Sequence, residues 1–100
     1  MMNESQSEAL ARIDALIANV PDFPKPGIQF KDITPLLASS EVFAESIELL
    51  AEKSQTLGAD LIAAPESRGF LFGLPVAQKL GIVFIPIRKP GKLPGETISV

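Results

Sequence analysis

Apolar residues recur along this chain with two different periods, and each change of period marks an element. Between residues 5 and 18, Leu10, Ile13, Leu16 and Ile17 fall at helical spacing among Glu8, Arg12 and Asp14. This predicts an amphipathic helix ending near Asn19, ahead of Pro21. Residues 21–27, Pro-Asp-Phe-Pro-Lys-Pro-Gly, hold three prolines and a glycine, so a stiff irregular loop is expected. Ile28 to Ile33 alternates apolar and polar residues like a short half-buried strand, and Thr34-Pro35 opens a turn. From Ser40 to Leu57 the period is helical again, with Phe43, Ile47, Leu50 and Leu57 on one face. Ser39 or Ser40 is placed to cap that helix, and Gly58 stands where a left-handed terminator belongs.

The next segments change character. Asp60 to Ala64 is a short apolar run, Phe70 to Leu80 is helical and closed by Gly81, and Ile82 to Ile87 is apolar at nearly every position. Two apolar strands joined by a helix form a βαβ unit, which implies a parallel sheet with helices on both faces. The second strand reads as one that expects neighbours on both sides. Arg88 to Gly95 is a basic turn rich in proline and glycine, and Glu96 to Val100 alternates like the start of a further strand. A parallel α/β domain wants more strands than these, so the expectation is an incomplete α/β domain, the N-terminal portion of a larger one. It divides into residues 1–38 and residues 39–100.

Composition narrows the chemistry. The apolar fraction of 46% suits a packed core. The chain has neither cysteine nor histidine, which excludes disulfides, zinc sites of the usual kind and nucleophiles activated by histidine. No apolar run reaches membrane-spanning length, and no signal sequence is visible, so a cytoplasmic protein is expected. Residues 1–66 carry a net −7 and residues 67–100 a net +4. One cationic patch on an acidic body suits a small polyanion better than a nucleic acid polymer.

That patch falls on the joint between the first apolar strand and its helix, Glu66-Ser67-Arg68-Gly69. A helix start offers backbone N–H groups without intrahelical partners and a positive dipole end, which together attract phosphates. Arg68 is disfavoured there unless something anionic pairs with it, either a ligand or Glu66 itself. Ser67 could cap the helix with or without a ligand, and Gly69 could admit an oxygen-rich ligand or simply make a turn. Arg88, Lys89 and Lys92 follow the second parallel strand and so share the sheet edge with Ser67; alone they would read as a solvated turn. Phe30 by itself reads as core.

Four segments then resemble the adenine phosphoribosyltransferases, a type I phosphoribosyltransferase family: residues 21–28 (PDFPKPGI), 30–35 (FKDITP), 66–73 (ESRGFLFG) and 88–95 (RKPGKLPG). The resemblance implies a phosphoribosyltransferase-type fold, with residues 1–38 giving an N-terminal helix and a base-binding hood and residues 39–100 the first part of the core. It implies transfer of phosphoribosyl from phosphoribosyl pyrophosphate (PRPP) to adenine, yielding AMP and pyrophosphate, by a cytoplasmic homodimer. Magnesium would be carried by PRPP or pyrophosphate, with no metal cage in the protein. Gln29, Phe30 and Arg68 would face adenine. Glu66, Ser67, Arg68, Gly69, Arg88 and Lys92 would form the pyrophosphate and PRPP site, with a cis peptide between Glu66 and Ser67. The family's acidic PRPP segment and its catalytic loop glutamate are not among these residues, so the chain alone is expected to be inactive. A non-catalytic purine- or pyrophosphate-binding module on the same fold, a salvage enzyme for another purine and a purely structural fragment are the competing expectations.

Overall fold

A computed structural model describes residues 3–91. Contacts along the chain separate two compact units, residues 1–50 and 51–100, with the division inside a long helix.

In the first unit, helix α1 (Glu4–Ala15) opens on a capping box. The Asn3 side chain accepts from the Gln6 N–H at 2.8 Å, and the Gln6 side chain accepts from the Asn3 N–H at 3.0 Å. Two orphan donors are satisfied reciprocally. The helix ends at Ala15, short of the limit expected near Asn19, because Ala18–Pro21 is a strand, β1. It pairs antiparallel with β2 (Gln29–Asp32), Val20 opposite Phe30 and Pro21 opposite Gln29. The hairpin was hidden in the sequence, since β1 offers one β-branched residue and ends on a proline that usually signals loop. The stiff segment between the strands is irregular, as its prolines require. Its Phe23–Pro24 bond is cis, and Asp22 has φ +56°. The Asp22 carboxylate accepts from the Gly27 N–H at 2.9 Å, and the Phe23 N–H donates to the Ile28 carbonyl at 3.1 Å.

After β2 the Asp32 carboxylate accepts from the Thr34 N–H (3.0 Å) and hydroxyl (2.6 Å). This turns the chain into a four-residue helix, α2 (Thr34–Leu37), where only a turn was expected. Leu36 on it is 2% exposed. Helix α3 (Ser40–Thr56) follows, the Ser39 hydroxyl accepting from the Val42 N–H at 3.3 Å. Ile47 is buried, as the periodicity predicts, together with Ser46 and Ala51. Leu50 and Leu57, assigned to the same buried face, are 43% and 72% exposed. Arg12 of α1 donates from Nε to the Glu45 carboxylate of α3 at 2.9 Å and adds a second contact through Nη2.

The second unit is the expected βαβ arrangement. Strand β3 (Leu61–Pro65), helix α4 (Arg68–Leu80) and strand β4 (Val83–Ile87) follow one another, and β3 pairs with β4 in parallel, Leu61 opposite Val83 and Pro65 opposite Ile87. Gly81 terminates α4 with φ +68°, a conformation that an L side chain resists. The face of α4 carrying Gly73, Val76 and Ala77 is buried. Ala64 is buried on β3, and Phe84 on β4 packs edge-on to Phe70, their ring centroids 5.8 Å apart. Helix and sheet approach closely at Gly73: a Cβ there would lie 2.7 Å from the Phe84 ring and 2.9 Å from Ala64 Cβ. The other face of the sheet is open among the described residues, with Leu61, Val83, Ile85 and Ile87 between 43% and 62% exposed. A strand apolar on both sides here has cover on one. The expected strand over residues 96–100 lies outside the described residues.

Candidate functional site

The site predicted after β3 is built by the register of the parallel pair. With Pro65 opposite Ile87, both strands finish at the same sheet edge, where loops of parallel sheets collect ligands. The ladder extends one step further, the Glu66 N–H donating to the Ile87 carbonyl at 3.0 Å. Glu66–Ser67 is cis, as the resemblance implied. Helix α4 begins at Arg68, two residues earlier than its periodicity indicated, so Arg68 and Gly69 belong to the helix's first turn. Amides there have no acceptor within the helix, and the dipole adds positive potential.

Ser67 occupies the N-cap position, yet its hydroxyl makes no capping bond. The Phe70 N–H is met instead by the Ser67 backbone carbonyl at 3.1 Å. The hydroxyl therefore serves no structural need of α4. Gly69 has a structural reason to be glycine: a Cβ would fall 2.9 Å from Pro65 Cδ and 3.2 Å from Ala64 Cβ. Its smallness is required by the preceding strand before any ligand is considered.

Glu66 is the unexpected member. Sequence reasoning offered it as a ligand contact or as a partner for Arg68; in the structure its carboxylate faces the segment after β4. Arg88 donates to Oε2 from Nη2 at 3.0 Å and from Nε at 3.3 Å, and the Lys89 backbone N–H donates to Oε1 at 2.9 Å. The Lys89 amide, foremost, and the Arg88 guanidinium hold the Glu66 carboxyl below the usual glutamate range. Both the amide and the carboxylate of Glu66 are thus engaged within the chain. No one-letter pattern could have shown this, because the partners stand 22 and 23 residues away and meet through strand register.

Arg88 and Lys89 are brought to the turn as expected, while Lys92 lies outside the described residues. Arg68 follows the end of β3, and Arg88 and Lys89 follow the end of β4, so the three basic positions come after paired strand ends, with Arg88 held by the Glu66 carboxylate. The residues assigned to the base, Gln29 and Phe30, stand in the first unit and Arg68 in the second. The Phe30 ring is half-buried and meets Phe23 edge-on, centroids 5.2 Å apart. The Gln29 side-chain oxygen accepts from Asn19 Nδ2 at 2.9 Å. Among the described residues no group of three or more His, Cys, Asp or Glu side chains could hold a metal, and no helix is long and apolar enough to cross a membrane.

No family model matches the chain. The adenine phosphoribosyltransferase of Thermoanaerobacter sp. (strain X514) is 58% identical over 90 residues, which are 90% of this chain and 52% of that protein. That of Sodalis glossinidius is 55% identical over 92 residues, 92% of this chain and 50% of the relative. The crystal structure of the Thermoanaerobacter pseudethanolicus enzyme superposes with a TM-score of 0.84 at 57% identity, over 89% of this chain and 53% of that one. The Saccharomyces cerevisiae enzyme, crystallised with adenine and an imino-altritol bisphosphate, gives 0.84 at 35% identity over 90% of this chain and 56% of its own. The chain spans about half the length of the relatives it matches. Over 90% of its residues it is homologous, in sequence and in fold, to the N-terminal half of adenine phosphoribosyltransferases.

Proposed function

We propose that this chain supplies the pyrophosphate-binding and base-binding half of an adenine phosphoribosyltransferase. The observation that carries the proposal is the joint at Glu66–Ser67, where a helix N-terminus and the cations after both parallel strands converge on one sheet edge. The reaction displaces pyrophosphate from the ribose anomeric carbon of PRPP by a nitrogen of adenine, and negative charge grows on the leaving group. Preorganised donors aimed at that charge lower the barrier more than they favour the ground state. Ser67, Arg68 and Gly69 contribute the first-turn amides and hydroxyl, and Arg88 and Lys92 contribute cations. Gln29 and Phe30 select the base through backbone hydrogen bonds and stacking, in keeping with the adenine held by the yeast relative. Magnesium, carried by PRPP or pyrophosphate and not by a cage of protein side chains, would supply further neutralisation of the leaving group. The whole enzyme is a cytoplasmic homodimer whose remaining half binds the ribose phosphate and brings the catalytic glutamate.

A ligand that binds only the folded chain must raise its melting temperature, by an amount worth about 2.7 kcal/mol at a hundredfold excess over Kd. A thermal scan is expected to show stabilisation by pyrophosphate and AMP and weaker stabilisation by adenine. Guanine and hypoxanthine should have no effect. Absence of any shift with pyrophosphate at millimolar concentration overturns the reading, and a preference for guanine reassigns the base. The same protein mixed with adenine and PRPP should form no AMP at an enzymatic rate.

A further inference from the structure

We propose that Glu66 is a positioning residue, which from the turn after β3 holds the Arg88–Lys89 segment after β4 so that the two loops act as one anion seat. The inference rests on the functional reading above and goes beyond it, because it gives a carboxylate a constructive role beside an anion. Taken alone, a negative charge next to a diphosphate site should weaken binding. Here the geometry argues otherwise. Glu66 is tied to the second loop at three points: its N–H to the Ile87 carbonyl, Oε1 to the Lys89 N–H, and Oε2 to the Arg88 guanidinium. The contacts fall on three consecutive residues, 87 to 89, and clamp the chain as it leaves the sheet. Arg88 forms its contacts through Nε and Nη2, so one edge of the guanidinium is spent on Glu66 and its remaining donors stay oriented for a second acceptor. Without the clamp, Arg88 and Lys89 would sample more positions, and binding would have to order them.

The test compares the full chain with its Glu66→Ala, Glu66→Gln, Arg88→Ala and Glu66→Ala/Arg88→Ala variants, by amide hydrogen exchange and by calorimetric titration with pyrophosphate. Exchange at Ala77 in α4 reports whether each variant retains its fold. In Glu66→Ala the Lys89 amide should exchange at least about tenfold faster, while Glu66→Gln, which keeps an acceptor, should preserve much of its protection. Pyrophosphate should bind about three- to tenfold more weakly to Glu66→Ala, and the loss should shrink in the Arg88→Ala background. Equal or tighter binding by Glu66→Ala would show the carboxylate to be merely repulsive and would overturn the proposal, as would an unchanged Lys89 amide. If Glu66→Ala does not fold, Glu66→Gln decides: it must weaken pyrophosphate through the lost ion pair. If the unaltered chain fails to bind pyrophosphate, the functional reading falls, and Lys89 exchange alone judges the clamp.

Discussion

At Gly73 two opposing effects meet on one residue. Alanine is a better helix former than glycine by about 0.8–1.0 kcal/mol. Its Cβ, however, would stand 2.7 Å from the Phe84 ring edge and 2.9 Å from Ala64 Cβ. The ring could turn, but Ala64 is fixed to the backbone of β3 and can yield only if the strand moves. Overpacking of this kind costs about 1–3 kcal/mol, so packing prevails and Gly73→Ala should lower the melting temperature in a thermal scan. The sequence hinted at this, since a glycine inside an apolar helix suggests a close approach. It could not name Phe84 and Ala64 as the neighbours. Ser67 shows the reverse: its place before a helix suggested a cap, and the structure leaves its hydroxyl uncommitted to one.

At the scale of elements, ion pairs among the described residues bind pieces distant in sequence, such as Arg12 to Glu45 between α1 and α3, and Arg88 to Glu66 between the segments following β4 and β3. Hydrogen bonding by Arg12 lowers the Glu45 carboxyl, as Lys89 and Arg88 lower that of Glu66. A carboxyl whose pKa is depressed by folding stabilises the native state fully above its unfolded value, about 4.3 for glutamate. That stability is lost as pH falls through the lower folded value. Denaturant titrations from pH 7 down to pH 3 should therefore show a decline below pH about 4.3 that is shallower in Glu66→Gln and in Glu45→Gln. An identical slope in the variants would mean that these pairs contribute nothing. The elements themselves were largely legible: α3, α4, β3, β4 and the left-handed glycines closing both long helices follow from period and punctuation. The exceptions are β1, whose partner supplies its reason to be a strand, and α2, which stands where only a turn was expected.

At the scale of the whole molecule, the parallel pair is covered by α4 on one face and leaves Leu61, Val83, Ile85 and Ile87 exposed on the other, Val83 at 62%. An apolar sheet face of this kind favours association. Light scattering should rise with concentration for this chain, and Val83→Lys should raise the concentration at which it begins without lowering the melting temperature; no difference between the two proteins would show the face to be inert. The same face gives a physical sense to the half-length match with relatives, since a strand apolar on both sides is suited to a larger sheet.

Local chemistry was sufficient for the long helices, the glycine terminators and the parallel strands, because each rests on residues within a few positions of one another. Charge and helix polarity alone pointed to the turn at residues 66–69. Tertiary structure decided what depends on meeting across the chain: which strand pairs with β2, which leucines are buried, and that Glu66 reaches Arg88 and the Lys89 amide. Those outcomes follow from register and packing, which no single stretch of sequence contains.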